Sequence, residues 1–206
     1  MAPFDYLWLA HNGKIGPVEW ITRDWRRHLY RYLWAMRYLD EDSVVLDLAA
    51  GSCYGSQMMA GLARQVYAVD RSLEAIVGYG LNVYFAPNVV YQAAPAEDFC
   101  PDCTFTHLVS FETLEHLTDP AEFLRRAAQE WIPNGTLLLS VPAYDDLSYN
   151  PYHKHYLPLP ALRELIQVDF EIEKILGQAD DGRITVLERA EAAYLVVAHP
   201  CPAAAP

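Results

Sequence analysis

Between Pro17 and Leu39 the apolar residues recur at helical spacing. Ile21, Trp25, Leu29, Tyr32, Met36 and Leu39 share one face, and Arg23, Arg26, Arg27, Arg31 and Arg37 share the other. This predicts an amphipathic helix with Pro17 in its first turn and a solvated cationic face. From residue 43 the period changes. Residues 43–48 read as a buried strand, 65–69, 88–92 and 105–111 as further strands and 136–141 as an apolar run after the Asn134-Gly135 turn, with 54–63, 72 to about 83 and 160–168 as helices. Asp119-Pro120-Ala121-Glu122 opens a further helix with an N-cap, a first-turn proline and a capping-box glutamate. Residues 170–176 and 192–198 read as two final strands, with Asp180-Asp181-Gly182 as a turn between them. Regular alternation of strand and helix predicts a mostly parallel seven-stranded sheet covered on both faces. The last two strands, with no helix between them, are expected as an antiparallel hairpin at one edge.

The 206 residues suffice for one domain, and 52% hydrophobic with 20% charged residues is a globular composition. The expected division is a helical segment over 1–40 that covers the active site, a main domain over 41–199, and a frayed Pro/Ala-rich tail over 200–206. A net charge of −12 argues against a general nucleic-acid or anionic-membrane binder. It leaves room for a local basic patch, and the five helix arginines are the candidate for an anionic substrate. Cys53, Cys100, Cys103 and Cys201 are too few and too scattered for a disulfide framework. Cys100-Pro-Asp-Cys103 has metal or redox spacing, but no second pair completes a zinc site, so it reads as two loop thiols. No basic leader precedes the first apolar run and no stretch is long enough to span a membrane, so a cytoplasmic setting is expected.

The stretch "VVLDLAAGSCYGSQMMA", residues 44–60, carries the first chemical signal. A strand ends near Asp47, a turn of small residues follows, and then a helix begins. Such a turn lets a ligand approach the backbone closely. About twenty residues after Gly51, the next strand ends on Asp70, where an acidic side chain accepts from ribose hydroxyls. With "VYAVDRSLEAI", "FTHLVSFETLEHLTDPAEFLRRA" and "IPNGTLLLSVP", the chain resembles class I S-adenosylmethionine-dependent methyltransferases of the type 11, ubiquinone-pathway-like group. The resemblance is densest from 44 to 142 and extends to "RYLWAMRYL" and "NPYHKHYLPLPALREL". It implies an α/β, Rossmann-like single domain that uses S-adenosylmethionine. It places Asp47, Ala49, Gly51, Cys53, Asp70, Arg71, Ala96, Glu97 and Ser110 around that cofactor. Ala49 and Cys53 stand where the family usually has Gly, and Pro95 and Thr106 also depart from the pattern. If residue 53 needs a positive φ, Cys costs about 1 kcal/mol there and sets a side chain near the ligand.

Methyl transfer needs a nucleophile held in line with an electrophilic carbon in a dry pocket. His116 is the candidate base and Glu112 its catalytic partner, although Glu115 and His116 also suit a helix start. Glu112, Glu115 and His116 within one turn are also a candidate set for a divalent metal, with His153 or His155 as a further ligand. The motif is similar to one in metal-using O-methyltransferases of the ubiquinone pathway. The loop over 141–159, with four tyrosines and two histidines, is the candidate acceptor wall. Tyr152, His155 and Arg31 are the acceptor-binding candidates there, and Tyr144, Tyr149 and Tyr156 offer further rings. The expected activity is O- or N-methylation of a small-molecule acceptor. The expected partners include no nucleic acid and no membrane, with a homodimer as the self-association considered. A noncatalytic S-adenosylmethionine-binding regulatory protein is the alternative. A nicotinamide enzyme is disfavoured by the incomplete G-x-G-x-x-G.

Overall fold

The computed structural model describes residues 18–76, 86–145, 147, 148 and 150–202, with the backbone alone for 18–22. Pro17, Tyr149, the second half of the helix expected from 72 and the end of the tail lie outside the described residues.

Helix α1 (Val18–Ala35) precedes strand β1 (Val44–Leu48), helix α2 (Tyr54–Met59) and strand β2 (Gln65–Asp70). A helical turn, α3 (Leu73–Ala75), is capped by the Ser72 hydroxyl, which accepts from Ala75 N–H. Then come β3 (Val89–Ala93), β4 (His107–Phe111), α4 (Pro120–Arg126), β5 (Thr136–Pro142), α5 (Leu159–Ile166), β6 (Phe170–Gln178), β7 (Ile184–Thr185) and β8 (Ala193–Pro200). The sheet order is β3-β2-β1-β4-β5-β8-β6-β7. The first five strands pair in parallel, and β8 pairs antiparallel with both β5 and β6. The strand order reverses at β1, so the carboxyl ends of β1, β2 and β4 frame the crevice where open α/β sheets bind ligands.

Four details depart from the sequence-based expectation. The sheet has eight strands, because two residues after Gly182 pair with the end of β6. The final pair is antiparallel as expected, but β8 lies inside, next to β5, and β6 lies outside it. The burial patterns explain this: Leu195, Val196, Val197 and Ala198 are all fully buried, whereas β6 alternates until its last residues. In α4, Asp119 caps Glu122 N–H at 2.9 Å, but the Glu122 carboxylate turns to Arg125 instead of back to the cap. Helix α2 also stops earlier than its apolar pattern suggests. The Asn88 side chain donates to the carbonyls of Ala60 and Ala63 and so satisfies the groups that end it.

The core divides between the two sheet faces. Leu46 and Leu48 join Phe99, Leu114, Trp131 and Ile166 on one side. Val45 joins Tyr32, Trp34, Cys53 and Met59 on the other. Strand alternation therefore sends Asp47 to the second face, beneath α1 and α2.

Helix α1 corrects the expectation of a solvated cationic face. Its buried positions are Arg27, Arg31, Tyr32, Trp34 and Ala35, while Leu33 is exposed. The face rotates because polar partners await two of the arginines. Arg27 donates to the Asp180 carboxylate and to its carbonyl. Arg31 Nε donates to Gln178 Oε1 at 2.8 Å. Gln178 is fully buried and donates in turn to the carbonyls of Arg27 and Gly182.

Candidate active site

The loop after β1 is built on alternate left-handed residues: Ala49 at φ 67, Gly51 at φ 55 and Cys53 at φ 60. An L-residue there costs roughly 1–2 kcal/mol relative to a right-handed conformation. Other contacts hold the strain. Ala49 and Ala50 N–H both donate to the Val69 carbonyl, at 2.8 and 3.0 Å. Gly51 N–H donates to Asp70 Oδ2 and Ser72 N–H to Asp70 Oδ1, both at 2.8 Å. One carboxylate thus ties together the loops after β1 and β2. A Cβ at Gly51 would meet nothing within 4 Å, so the space above the loop is open. A Cβ at Gly55 would strike the Tyr32 ring, so this glycine lets α1 pack onto the start of α2.

Asp47 lies under this loop, 1% exposed. Ser56 Oγ donates to it at 2.6 Å and Tyr32 OH at 3.4 Å. Burial raises its pKa to about 7, against the pull of those two bonds. Asp47 holds the loop from below and does not reach the cleft. Cys53 is also fully buried, and burial pushes its thiol up. Its left-handed backbone matches the concern raised from sequence, but its side chain turns into the core. Ser110 is buried as well and donates to the Leu48 carbonyl at 3.0 Å.

Above the loop lies a cleft of about 620 Å³. Ala49, Gly51 and Asp70 line its floor, and Arg71, Ser72 and Glu74 one side. Pro95, Ala96 and Glu97 form another wall. Thr118 N–H donates to Glu97 Oε1 at 2.6 Å and holds that carboxyl below its usual range. Opposite stand Glu112, Thr113 and His116, with Asn150, Tyr152 and His153.

The segment 152–155 is bound to the turn after β4. Lys154 and His155 N–H donate to the Glu115 carbonyl, at 2.7 and 3.2 Å. His116 Nδ1 lies 2.9 Å from the Tyr152 carbonyl, and His155 Nε2 lies 3.0 Å from that of Leu117. A carbonyl only accepts, so His116 carries its proton on Nδ1 and presents a lone pair at Nε2. Burial keeps the His116 pKa below the usual histidine value, and the neighbouring His153 adds to this. The rings of His116 and His153 meet edge to face, with centroids 4.6 Å apart.

Of the residues selected from sequence, Ala49, Gly51, Asp70, Arg71, Ala96, Glu97, Glu112, His116 and Tyr152 meet at this cleft. Arg31 is buried behind it, with Nη1 3.3 Å from Glu112 Oε1. His155 faces Leu117 instead of the cleft. Glu112 turns to Arg31 and Ser140, so the three-residue metal set does not converge. Glu115, His116 and His153 do converge, with ligand atoms within 4.8 Å of one another. Sequence reasoning missed Thr113 and Asn150 and held His153 only in reserve. Nothing in the spacing distinguishes His153 from His155, because the segment has no regular period to assign faces.

Among the described residues no helix is long and apolar enough to cross a membrane. The methyltransferase domain family matches residues 18–180. A Mycolicibacterium smegmatis protein named probable S-adenosylmethionine-dependent methyltransferase is 33% identical over 141 residues, 65% of this chain and 54% of its own length. A ubiquinone biosynthesis O-methyltransferase of Xanthomonas campestris is 33% identical over 99 residues, 47% of this chain and 41% of its own. The chain therefore spans about half the length of the curated relatives it matches. A Haloferax volcanii methyltransferase solved with the Trm112 methyltransferase activator shares the fold, at a TM-score of 0.72 and 18% identity over 87% of this chain and 92% of that one. With a family match that takes in α1, the strained loop and every wall of the cleft, the chain belongs to the class I S-adenosylmethionine-dependent methyltransferases.

Proposed function

We propose that the protein transfers a methyl group from S-adenosylmethionine to a small acceptor, at oxygen or nitrogen. The observation that carries this reading is the Gly51–Asp70–Ser72 frame at the floor of a cleft whose opposite wall holds His116. The residues present fit the cofactor. Each Asp70 oxygen takes one backbone N–H, so lone pairs remain on the cleft side for ribose hydroxyls, and nothing crowds the space above Gly51. Ala96 and Glu97 would flank the adenine, and Ala49 would adjoin the methionine end. When bound, the cofactor supplies a carbon made electrophilic by its sulfonium.

The chain's own residues would do the rest. His116 Nε2 would take the acceptor's proton, since Nδ1 is fixed on the Tyr152 carbonyl. Tyr152, 63% exposed on the cleft wall, would offer a flat face to a ring or a sugar. The bonds between 152–155 and 115–118 would keep this wall in place and limit water access. Titration with S-adenosylhomocysteine tests the cofactor site. Asp70→Ala should bind at least about tenfold more weakly while staying folded by circular dichroism, because it loses charge-assisted bonds. Unchanged affinity would overturn the assignment. A noncatalytic regulator would bind the cofactor normally and transfer no methyl to any acceptor. Self-association as a homodimer belongs to this reading and is tested by light scattering.

The convergence of Glu115, His116 and His153 supports a second reading, in which a divalent ion polarises an acceptor hydroxyl. One carboxylate and two imidazoles suit such an ion, and the Tyr152 carbonyl on Nδ1 is the outer partner that a ligating histidine usually has. The two readings compete for one lone pair on His116. Loss of methyl transfer on chelation, restored by Mg²⁺ or Mn²⁺, would favour the ion; indifference to chelation would favour the base.

A further inference from the structure

Glu112 is a non-glycine residue at φ 52, in the wall of the cleft. Left-handed strain of this kind persists only where surrounding contacts impose it. Here they are identifiable. Glu112 N–H donates to the Ser140 carbonyl at 3.0 Å and lies 3.2 Å from Ser140 Oγ. Ser140 Oγ donates to Glu112 Oε1 at 2.8 Å, and Arg31 Nη1 lies 3.3 Å from the same oxygen. Arg31 is itself fixed, 3% exposed and held by a Gln178 amide that is bonded at both ends. Oε1 is therefore committed to the protein. Among the described residues Oε2 takes no hydrogen bond, and the side chain keeps 21% of its surface exposed.

We propose that Glu112 sets acceptor specificity, that its Oε2 receives an O–H or N–H donor of a neutral or cationic acceptor, and that Arg31 is the positioning residue that aims it. This rests on the methyltransferase reading above and narrows its substrate class. An ionised carboxylate only accepts, so it favours a hydroxyl or an ammonium and repels an acceptor's own carboxylate or phosphate. The surrounding charge agrees. The cleft wall carries Asp70, Glu74, Glu97 and Glu112 against Arg71. Of the five helix arginines that suggested an anionic acceptor, the two that are buried are already engaged: Arg27 with Asp180 and Asp24, and Arg31 with Glu112.

The test uses three probes with the same ring hydroxyls and different charge: catechol, dopamine and protocatechuate. Each is titrated by calorimetry into the full chain saturated with S-adenosylhomocysteine. Dopamine and catechol should bind at least about tenfold more tightly than protocatechuate, the scale of a charge-assisted bond gained or a like charge opposed. Glu112→Gln, nearly isosteric, should erase most of that discrimination and leave S-adenosylhomocysteine affinity unchanged. Arg31→Ala should lower discrimination in the same way, and Arg31→Lys, which keeps the charge, should restore part of it. A merely structural role for Arg31 would lower thermal stability and leave discrimination alone. Equal or tighter binding of protocatechuate, discrimination that survives in Glu112→Gln, or binding of none of the three probes overturns the proposal. A loss of S-adenosylhomocysteine affinity in Glu112→Gln also overturns it, by moving Glu112 to the cofactor. If the wild-type chain binds no S-adenosylhomocysteine, the methyltransferase reading itself fails.

Discussion

Asp47→Asn should stabilise the protein, and the gain should grow with pH. Asp47 is enclosed by the β1 strand, the start of α2 and the Tyr32 ring, and its two hydrogen-bond donors are uncharged hydroxyls. They do not offset the loss of water around an ionised carboxylate, so burial holds the folded-state pKa at about 7, well above the 3.8 of a free aspartate. The raised value fixes the sign. Below about pH 4 both folded and unfolded chains carry the proton, and stability is fully present. Between about pH 4 and 7 the unfolded chain releases it and the folded chain does not, so stability falls by about 1.4 kcal/mol per pH unit. Above pH 7 the loss is complete, at roughly 4 kcal/mol as a ceiling. Asparagine is neutral throughout. Its oxygen can accept from Ser56 and its amide can donate to the Tyr32 oxygen, so neither partner is orphaned. Urea unfolding of both proteins at pH 5 and pH 8 isolates this site, because all other titrating groups cancel in the difference. The advantage of the variant should be about 3 kcal/mol larger at pH 8 than at pH 5. An advantage independent of pH, or a variant less stable at pH 8, would show that Asp47 ionises normally in the fold and would refute the reasoning.

Ala49→Gly relieves φ 67 at a half-buried position, and should raise stability by up to about 1 kcal/mol after the extra chain entropy of glycine, read from the urea midpoint. Gly55→Ala drives a methyl into the Tyr32 ring and should lower stability by about 1–3 kcal/mol, with a weaker S-adenosylhomocysteine complex; Tyr32→Ala in the same chain should recover part of the loss. Tyr152→Ala and His155→Ala should separate: the first raises acceptor KM, and the second, which breaks the bond to the Leu117 carbonyl, lowers thermal stability and leaves acceptor KM nearly unchanged.

What the sequence disclosed, and what it withheld, follows from the range of the forces involved. Strands β1, β4 and β5 were legible because parallel strands buried on both faces are continuous apolar runs, whereas β3, at the sheet edge, is buried only at Val89. The pairing of Gly51 with Asp70 at the cleft was legible because a turn of small residues after one strand and an acidic end to the next are short-range signals. The face of α1 was not. Its apolar spacing centred burial on Trp25, Leu29 and Tyr32, but Gln178 and Asp180, about 150 positions away, accept Arg31 and Arg27 and rotate the helix. Glu112 lines the cleft with His116, but its carboxylate neighbours differ from the expected ones. The turn imposed by its positive φ sends the carboxylate towards Ser140 and Arg31 and away from Glu115 and His116, and spacing along the chain carries no trace of that turn. His153 and His155 differ for a similar reason, since long-range bonds to 115–118 decide which ring faces the cleft.

Neighbouring residues of α1 brace two different elements behind the cleft. Tyr32 packs edge-on against Tyr54 and Phe111, at 5.3 and 5.2 Å, rests on Gly55 and closes the chamber around Asp47. Arg31, one position earlier, reaches Glu112 on the cleft wall. Successive helix positions are about 100° apart, so Arg31 and Tyr32 point to different neighbours and one helix braces both Glu112 and the start of α2. Two non-glycine residues in left-handed conformations cost roughly 2–4 kcal/mol together, a sizeable fraction of a typical domain's net stability. The bonds to Val69 and Asp70 offset that cost, and the Tyr32 ring packs on Gly55 just beyond the loop while its hydroxyl donates to Asp47 beneath it. The helix that helps complete the core therefore also packs against the start of α2, beside the strained loop after β1.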